Sequence, residues 1–355
     1  MDIEKRIALI KEVGEEIITE NELRELLERK KKITAYDGFE PSGKIHIAQG
    51  ILRAININKM IKAGCEFIMF VADWHAWLNK KLGGKLENIR IAGEYMIETW
   101  KACGLKDVKY VWGSEIIKDE KYWEIVMKVA INSTLRRVVR CSQIMGRKES
   151  EIMSASQIIY PCMQAADIFY LNVDIAQLGM DQRKVNMLAR EIAPKIGFDK
   201  PVAVHHHMLL GLTQVKSKAK GIERKIELKM SKSKPNSAIF MTDSKEEVEK
   251  KILAAYCPAR QIAENPILEY AKYIIFESFK EMKIERKPKF GGDVVYKSYS
   301  ELEKDFAKGE LHPLDLKNAT ARYINKLLEP VRKHFERNTK AREILEQINK
   351  MQITR

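Results

Sequence analysis

The stretch Ile33-Thr34-Ala35-Tyr36-Asp37-Gly38-Phe39-Glu40-Pro41-Ser42-Gly43-Lys44-Ile45-His46-Ile47-Ala48-Gln49 decides the fold. Its first seven residues have the composition of a short strand, and Glu40–Lys44, with proline and glycine, reads as a turn. From His46 onward apolar residues return at helical spacing through Ile51, Ile55 and Ile57. Strand, glycine-containing turn and helix together open a nucleotide-binding α/β unit. A histidine in the first turn of such a helix lies where unpaired N–H groups and partial positive charge can hold a phosphate.

Outward from this unit the pattern repeats. Upstream, residues 2–13 and 20–32 read as amphipathic helices separated by a stop at Gly14, the second opened by a Thr19/Glu22 capping box. Downstream, strands are expected at Phe67–Ala72, Val108–Trp112, Val173–Gln177 and Pro201–His205, with helices at Leu86–Cys103 and Asp181–Ile192. Residues 118–165 are helical in pattern and too long for a simple crossover, so they read as an insertion. The fold class is therefore α/β: a doubly wound, parallel, five-stranded Rossmann-like sheet whose ligands bind at the carboxyl ends of the strands. No GxGxxG occurs, which argues against a dinucleotide cofactor.

A second unusual stretch, Lys229-Met230-Ser231-Lys232-Ser233, places two ammonium groups and two hydroxyls beside Pro235, Asn236 and Ser237. That composition favours an exposed loop, and mobile positive charge suits a polyphosphate changing shape during reaction. Beyond it the pattern becomes helical, starting with a Ser244/Glu247 capping box. The expected division is 1–225 for the Rossmann-like catalytic domain, 226–240 for a lysine-loop linker and 241–355 for an all-helical domain. The net charge of +14, with Lys and Arg dense in the last third of that domain, points to a polyanionic partner. No apolar run approaches a membrane span, the N-terminus has no secretory h-region, and the five cysteines show no CxxC spacing. The chain reads as cytoplasmic, with no membrane partner.

Pro41–Gln49 together with Lys229–Ser233 resembles the HIGH and KMSKS pair of class I aminoacyl-tRNA synthetases, most closely the archaeal and eukaryotic tyrosyl type. The blocks Ala72–Trp77, Lys81–Gly84, Tyr160–Gln164, Gly179–Lys184 and Leu311–Asn318 are similar to the same group, so the resemblance spans nearly the whole chain. It implies a ligase that activates L-tyrosine with ATP, as the magnesium complex, and passes the tyrosyl group to the 3′ end of tRNA(Tyr). No protein-bound metal is expected. By the resemblance, His46, Lys229, Ser231, Lys232 and Ser233 serve the chemical step. Gly43, His46, Ala48, Gln49 and Lys232 bind ATP, and Tyr36, Tyr160, Gln164, Asp167 and Gln182 bind tyrosine. Arg183 contacts the acceptor end of tRNA, while Phe290, His312 and Asp315 read the anticodon. The insertion at 118–165 is by analogy a homodimer interface.

Spacing supports part of this independently: Tyr160, Gln164 and Asp167 fall on one face of a helix. The first motif departs from the usual form, with Ala48 for glycine and Gln49 for the second histidine. His205-His206-His207 invites a metal reading, but alternate strand residues face opposite sides, so nucleotide contact or packing is expected instead. The rivals are a tryptophanyl-tRNA synthetase, for which Tyr36 with Asp167 is a poor indole pocket, and a non-catalytic RNA-binding paralogue, against which intact His46, Lys229 and Lys232 argue. A different adenylate-forming nucleotidyltransferase would not need the basic helical domain.

Overall fold

The computed structural model describes residues 2–145, 154–215, 218–230 and 235–351. Eight strands are present among them: β1 Gly14–Ile18, β2 Ile33–Phe39, β3 Cys65–Val71, β4 Val108–Trp112, β5 Ile175–Gly179, β6 Val202–His206, β7 Met282–Ile284 and β8 Val294–Tyr296. The first six form one sheet in the order β1-β6-β5-β2-β3-β4. Strands β2 to β6 run parallel to one another, in the five places where the sequence pattern puts strands. Chain order reverses beside β2, where Tyr36 is paired with Ile68 on one side and Ala176 on the other. A ligand crevice belongs at that switch point.

The sixth strand was not expected from the sequence. Gly14 does not stop a helix into a loop; it begins β1, which lies antiparallel on β6. Two successive glutamates and a short span hide the strand from any apolar alternation, and charge on an edge strand discourages pairing with other chains. The all-helical expectation for the C-terminal part likewise needs one addition, the β7–β8 hairpin. The Thr19/Glu22 and Ser244/Glu247 capping boxes are both formed.

One hydrophobic cluster covers one face of the sheet and continues without interruption into the C-terminal helices, from Ile57 and Met69 to Ile324 and Phe335. The helix Thr339–Lys350 packs on Leu86–Ala102, and Tyr95 meets Phe335 with ring centroids 5.4 Å apart. The second cluster covers the opposite face with the helices Glu120–Ile131 and Ala155–Tyr170. No helix among the described residues is long and apolar enough to cross a membrane.

The packing of Leu86–Ala102 on the sheet depends on one missing methyl group. A Cβ at Gly93 would lie 2.5 Å from the Trp112 ring and 2.9 Å from a Val71 methyl. Overpacking of this kind costs roughly 1–3 kcal/mol. Gly93→Ala is therefore expected to lower the unfolding midpoint by several degrees in a calorimetric scan.

Candidate active site

The first motif pairs through its main chain with residues 239–241, almost two hundred residues later and a short way beyond the lysine motif. The Ile47 N–H donates to the Ile239 carbonyl at 2.8 Å, the Met241 N–H donates to the Ile45 carbonyl at 3.0 Å, and His46 faces Phe240 between them. On the other side Lys229 faces Leu210, and the Met230 N–H donates to the Leu209 carbonyl at 3.2 Å. His46 and Lys229 consequently border one cavity of about 800 Å³ over the carboxyl edge of the sheet. That volume is ample for an organic substrate.

His46 does not open a helix, contrary to the sequence expectation. It closes a turn in which its carbonyl accepts from Gln49 N–H at 2.8 Å and Gly50 N–H at 3.0 Å, and the helix begins at Ile51. The preference for the paired geometry with Phe240 delays the helix by one turn. Lys229 is held by Asp181, Nζ to Oδ2 2.6 Å. Burial works to raise the Asp181 pKa, but the Lys229 ammonium overcomes it and holds the carboxylate below its usual range. Ser231, Lys232 and Ser233 lie outside the described residues.

One end of the cavity is built from aromatic and carboxyl groups. Tyr36 is in the middle of β2, is 1% exposed and packs into the cluster formed with the insertion. Burial, with Asp167 and Asp37 nearby, holds its phenol well above the ordinary tyrosine value, so it stays a neutral O–H. Asp167, on the helix Ala155–Tyr170, lines the same end and is 1% exposed. Its Oδ1 accepts from the Tyr122 hydroxyl at 2.9 Å, and its Oδ2 lies 3.1 Å from Nε2 of His75. Tyr160 and Gln164 project from the same helix face, as their spacing predicts. The Tyr160 hydroxyl donates to Glu40 Oε1 at 2.7 Å, and Gln164 Nε2 donates to Gln182 Oε1 at 3.0 Å. Gln164 Oε1 is buried without a protein partner.

The other end lies under the opposite face of β2. Asp37, next to Tyr36, points away from the insertion and meets Arg53 of the helix Ile51–Lys62, Oδ2 to Nη1 3.7 Å. Burial pushes the Asp37 carboxyl up to about 7, against the pull of Arg53, and lowers Arg53 itself to about 10. Asp37, Arg53, His46, Ala48, Gln49, Asp181 and Lys229 all line the cavity. Gly43 does not; it sits in the preceding turn at φ +100°, while Ser42 beside it reaches the wall. The Gln49 carbonyl accepts from the Trp100 indole N–H at 2.8 Å, so its main chain is structural while its side chain faces the cavity.

The histidine triplet divides as strand alternation requires. His205 lies 2.8 Å from Glu16 through Nδ1 and 3.0 Å from the Asn186 amide through Nε2, whereas His206 contacts Gln177 and lines the cavity. His207, beyond the strand, stacks on Tyr273 at 4.3 Å and lies between Glu15 and Glu269, which together overcome burial and raise it to about 9.

A family profile described as tRNA synthetases class I (W and Y) matches residues 28–329. The chain belongs to this family. Tyrosine–tRNA ligase 1, cytoplasmic, of Arabidopsis thaliana is 49% identical to the synthetase, with 100% of this chain and 90% of the relative covered. A crystal structure of tyrosyl-tRNA synthetase complexed with L-tyrosine from Pyrococcus horikoshii is 43% identical, with a TM-score of 0.91 over 98% of this chain and 100% of the other. A tryptophanyl-tRNA synthetase from the archaeon Aeropyrum pernix shares the fold at 19% identity and a TM-score of 0.65, over 95% and 85% of the two chains.

The remaining expected residues of the synthetase lie away from the cavity. Arg183 forms an ion pair with Glu16 of β1 at 2.8 Å, beside the carboxyl edge. Phe290 is 59% exposed, under a lysine ammonium 5.0 Å from its ring centroid. His312 caps the helix Pro313–Arg337, its Nδ1 accepting from Leu314 N–H at 3.1 Å, and Asp315 sits in that helix's first turn. Arg286 joins the two places, donating to the Gly292 carbonyl at 2.9 Å and the Glu310 carbonyl at 3.1 Å. Sequence reasoning assigned no role to Glu40, Asp37, Arg53, His75, Tyr122 or Asp181. His75 and Asp181 fall within blocks that carried the resemblance, but Tyr122 lies in the insertion with no local signal.

Proposed function

We infer that this synthetase activates L-tyrosine with ATP and transfers the tyrosyl group to the 3′ end of tRNA(Tyr). The observation that carries the reading is the deeply buried Tyr36/Asp167 end of a cavity whose other end holds both motif regions. A carboxylate acceptor beside a neutral phenol can pair a substrate hydroxyl, and phenylalanine would leave Asp167 unmatched in a dry pocket. Gln164, with its free buried carbonyl, accepts from the substrate ammonium, and Gln182, Tyr160 and the nearby Glu40 hold that group in place. Indole, lacking a hydroxyl at that position, would match the end poorly.

The substrate carboxylate oxygen then attacks the α-phosphorus in line, the bond to the bridging oxygen breaks, and pyrophosphate leaves. Next, a terminal ribose hydroxyl attacks the acyl carbon and AMP departs. No protein nucleophile is needed; positioning and electrostatics carry the rate. His46 steadies the phosphates, Ala48 and Gln49 lie against the nucleoside, and Gly43 shapes the preceding turn. Lys229, freed from Asp181 by the incoming triphosphate, joins Lys232, Ser231 and Ser233 on the departing charge. ATP enters as its magnesium complex, the metal held by phosphate oxygens.

For tRNA, Arg183 faces the acceptor end. The domain from 241 onward, following the 1–225 catalytic domain and the 226–240 linker, binds the anticodon through Phe290, His312 and Asp315. An exposed aromatic stacks on a base, and a carboxylate accepts from a base edge. Met127, Ile131 and Leu135, 43%, 81% and 64% exposed on the insertion, support a homodimer through that face. The cytoplasm is the proposed compartment. Pyrophosphate exchange with each amino acid in turn tests the reading: exchange with tyrosine alone is expected, whereas exchange with tryptophan alone, or with none, rejects it.

A further inference from the structure

We propose that Arg286 is a positioning residue for tRNA, its guanidinium holding the turn that carries Phe290 in a fixed relation to the helix start that carries His312 and Asp315. The proposal rests on the reading that these three residues meet the anticodon. Two recognition elements from different stretches of chain act together only when their separation is set before the RNA arrives. Otherwise only the fraction of molecules in the right arrangement binds, and the affinity falls by that fraction.

Burial does not set that separation, because Lys287, Pro288, Lys289, Phe290 and Gly291 are all exposed. The base of the β7–β8 hairpin is anchored on the helix Pro313–Arg337: the Lys283 N–H donates to the Tyr323 hydroxyl at 2.9 Å, and Arg322 Nη1 lies 2.6 Å from Glu285 Oε2. Further along, the turn bonds to itself. The Phe290 N–H donates to the Lys287 carbonyl at 2.8 Å and the Gly291 N–H to the Pro288 carbonyl at 3.0 Å, and Gly291 and Gly292 reverse the chain at φ +95° and +70°. These bonds give the turn a shape but not a place. Arg286 supplies the place. Its main-chain N–H donates to Asp293 Oδ1 at 3.1 Å and closes the tip. Its side chain then divides: Nε donates to the Gly292 carbonyl at 2.9 Å, just after Phe290, and Nη1 donates to the Glu310 carbonyl at 3.1 Å, just before His312. Among the described residues, this last bond is the hydrogen bond that joins residues 286–293 to residues 310–315. Glu310 is itself fixed, its N–H donating to the Asp305 carbonyl at 2.9 Å and Leu311 beside it being buried. A guanidinium is a rigid plane, so donors on two of its edges hold two carbonyls in one relation; a lysine ammonium on its flexible stem does not.

The test is steady-state aminoacylation of tRNA(Tyr), with pyrophosphate exchange measured beside it, in Arg286→Gln, Arg286→Lys, Phe290→Ala, Asp315→Ala and the double variant that combines Arg286→Gln with Phe290→Ala. Arg286→Gln is expected to raise KM for tRNA about 5- to 20-fold, the scale of one part-exposed hydrogen bond from a charged donor, with kcat and pyrophosphate exchange unchanged. Arg286→Lys keeps the charge but not the fork, so it should weaken tRNA to the same extent. In the Phe290→Ala background, Arg286→Gln should add little, since no ring is left to place. A lysine variant that matches the parent means that position 286 serves the RNA as a point charge on a phosphate, and overturns the proposal. Effects of Arg286→Gln and Phe290→Ala that simply multiply mean that the two residues act independently, and overturn it as well. So does a loss of pyrophosphate exchange in both Arg286 variants, which would make the residue a support of the whole fold. If Phe290→Ala and Asp315→Ala both leave KM for tRNA unchanged, the anticodon reading is wrong. If they raise it while both Arg286 variants match the parent, only the role of Arg286 fails.

Discussion

Asp167→Ala is expected to lower kcat/KM for tyrosine by about 30- to 5,000-fold, and the value for phenylalanine by much less. The range corresponds to roughly 2–5 kcal/mol for removing one member of a buried, hydrogen-bonded charged set, at about 1.4 kcal/mol per tenfold. The loss has two parts. The substrate hydroxyl loses its acceptor, and the Tyr122 hydroxyl and His75, which now contact the carboxylate at 2.9 Å and 3.1 Å, lose theirs. Phenylalanine never used the acceptor, so it escapes the first part, and the ratio between the two substrates collapses. Asp167→Asn keeps the volume and one acceptor oxygen, and should cost tyrosine about 10- to 150-fold, the span of a hydrogen bond to a charged group. Exchange rates for both amino acids, read beside a thermal melt of each variant, distinguish lost selection from lost folding. Equal losses for tyrosine and phenylalanine would remove Asp167 from the selecting role.

Lys229→Ala should slow adenylate formation on the order of 10²- to 10³-fold, comparable to removing one donor that stabilises charge developing in a transition state. In the resting enzyme its ammonium is 2.6 Å from Asp181, a buried carboxylate in the same cavity. In the proposed mechanism ATP competes with that carboxylate for the lysine, which makes the ion pair a parking place within reach of the phosphates. Tyrosine affinity, set at the other end of the cavity, and tRNA affinity should each stay within a few-fold. Rapid-quench measurement of pyrophosphate release, with tRNA binding measured separately, provides the readout. A variant that forms adenylate normally but binds tRNA weakly would make the lysine segment a docking element.

Much of this architecture is legible in the sequence because burial and periodicity agree. The parallel strands β2 to β6 are apolar on both sides or bounded by clear turn residues, and the helix carrying Tyr160, Gln164 and Asp167 shows its functional face at helical spacing. The edge strand β1 escapes because its stability comes from pairing with β6 and from ion pairs of its glutamates, and neither leaves a local pattern. His46 is read as the start of a helix because the apolar spacing resumes there. Only the contact with Phe240, contributed by chain far downstream, shows why the helix waits until Ile51. His75 and Tyr122 are of the same kind: each is an ordinary helix residue until tertiary packing brings it against Asp167.

Tyr36 and Asp37 stand on opposite faces of one strand, the first beneath the end proposed for the amino acid and the second beneath the end proposed for the nucleotide. Adjacent α-carbons are about 3.8 Å apart across a trans peptide, whatever the side chains do. The spacing of these two strand positions is thus ruled by bond lengths instead of by packing, and it does not change as either half is remodelled. A lineage could redraw the amino-acid end residue by residue, changing what is accepted there, without disturbing the alignment of the carboxylate with the phosphorus it attacks.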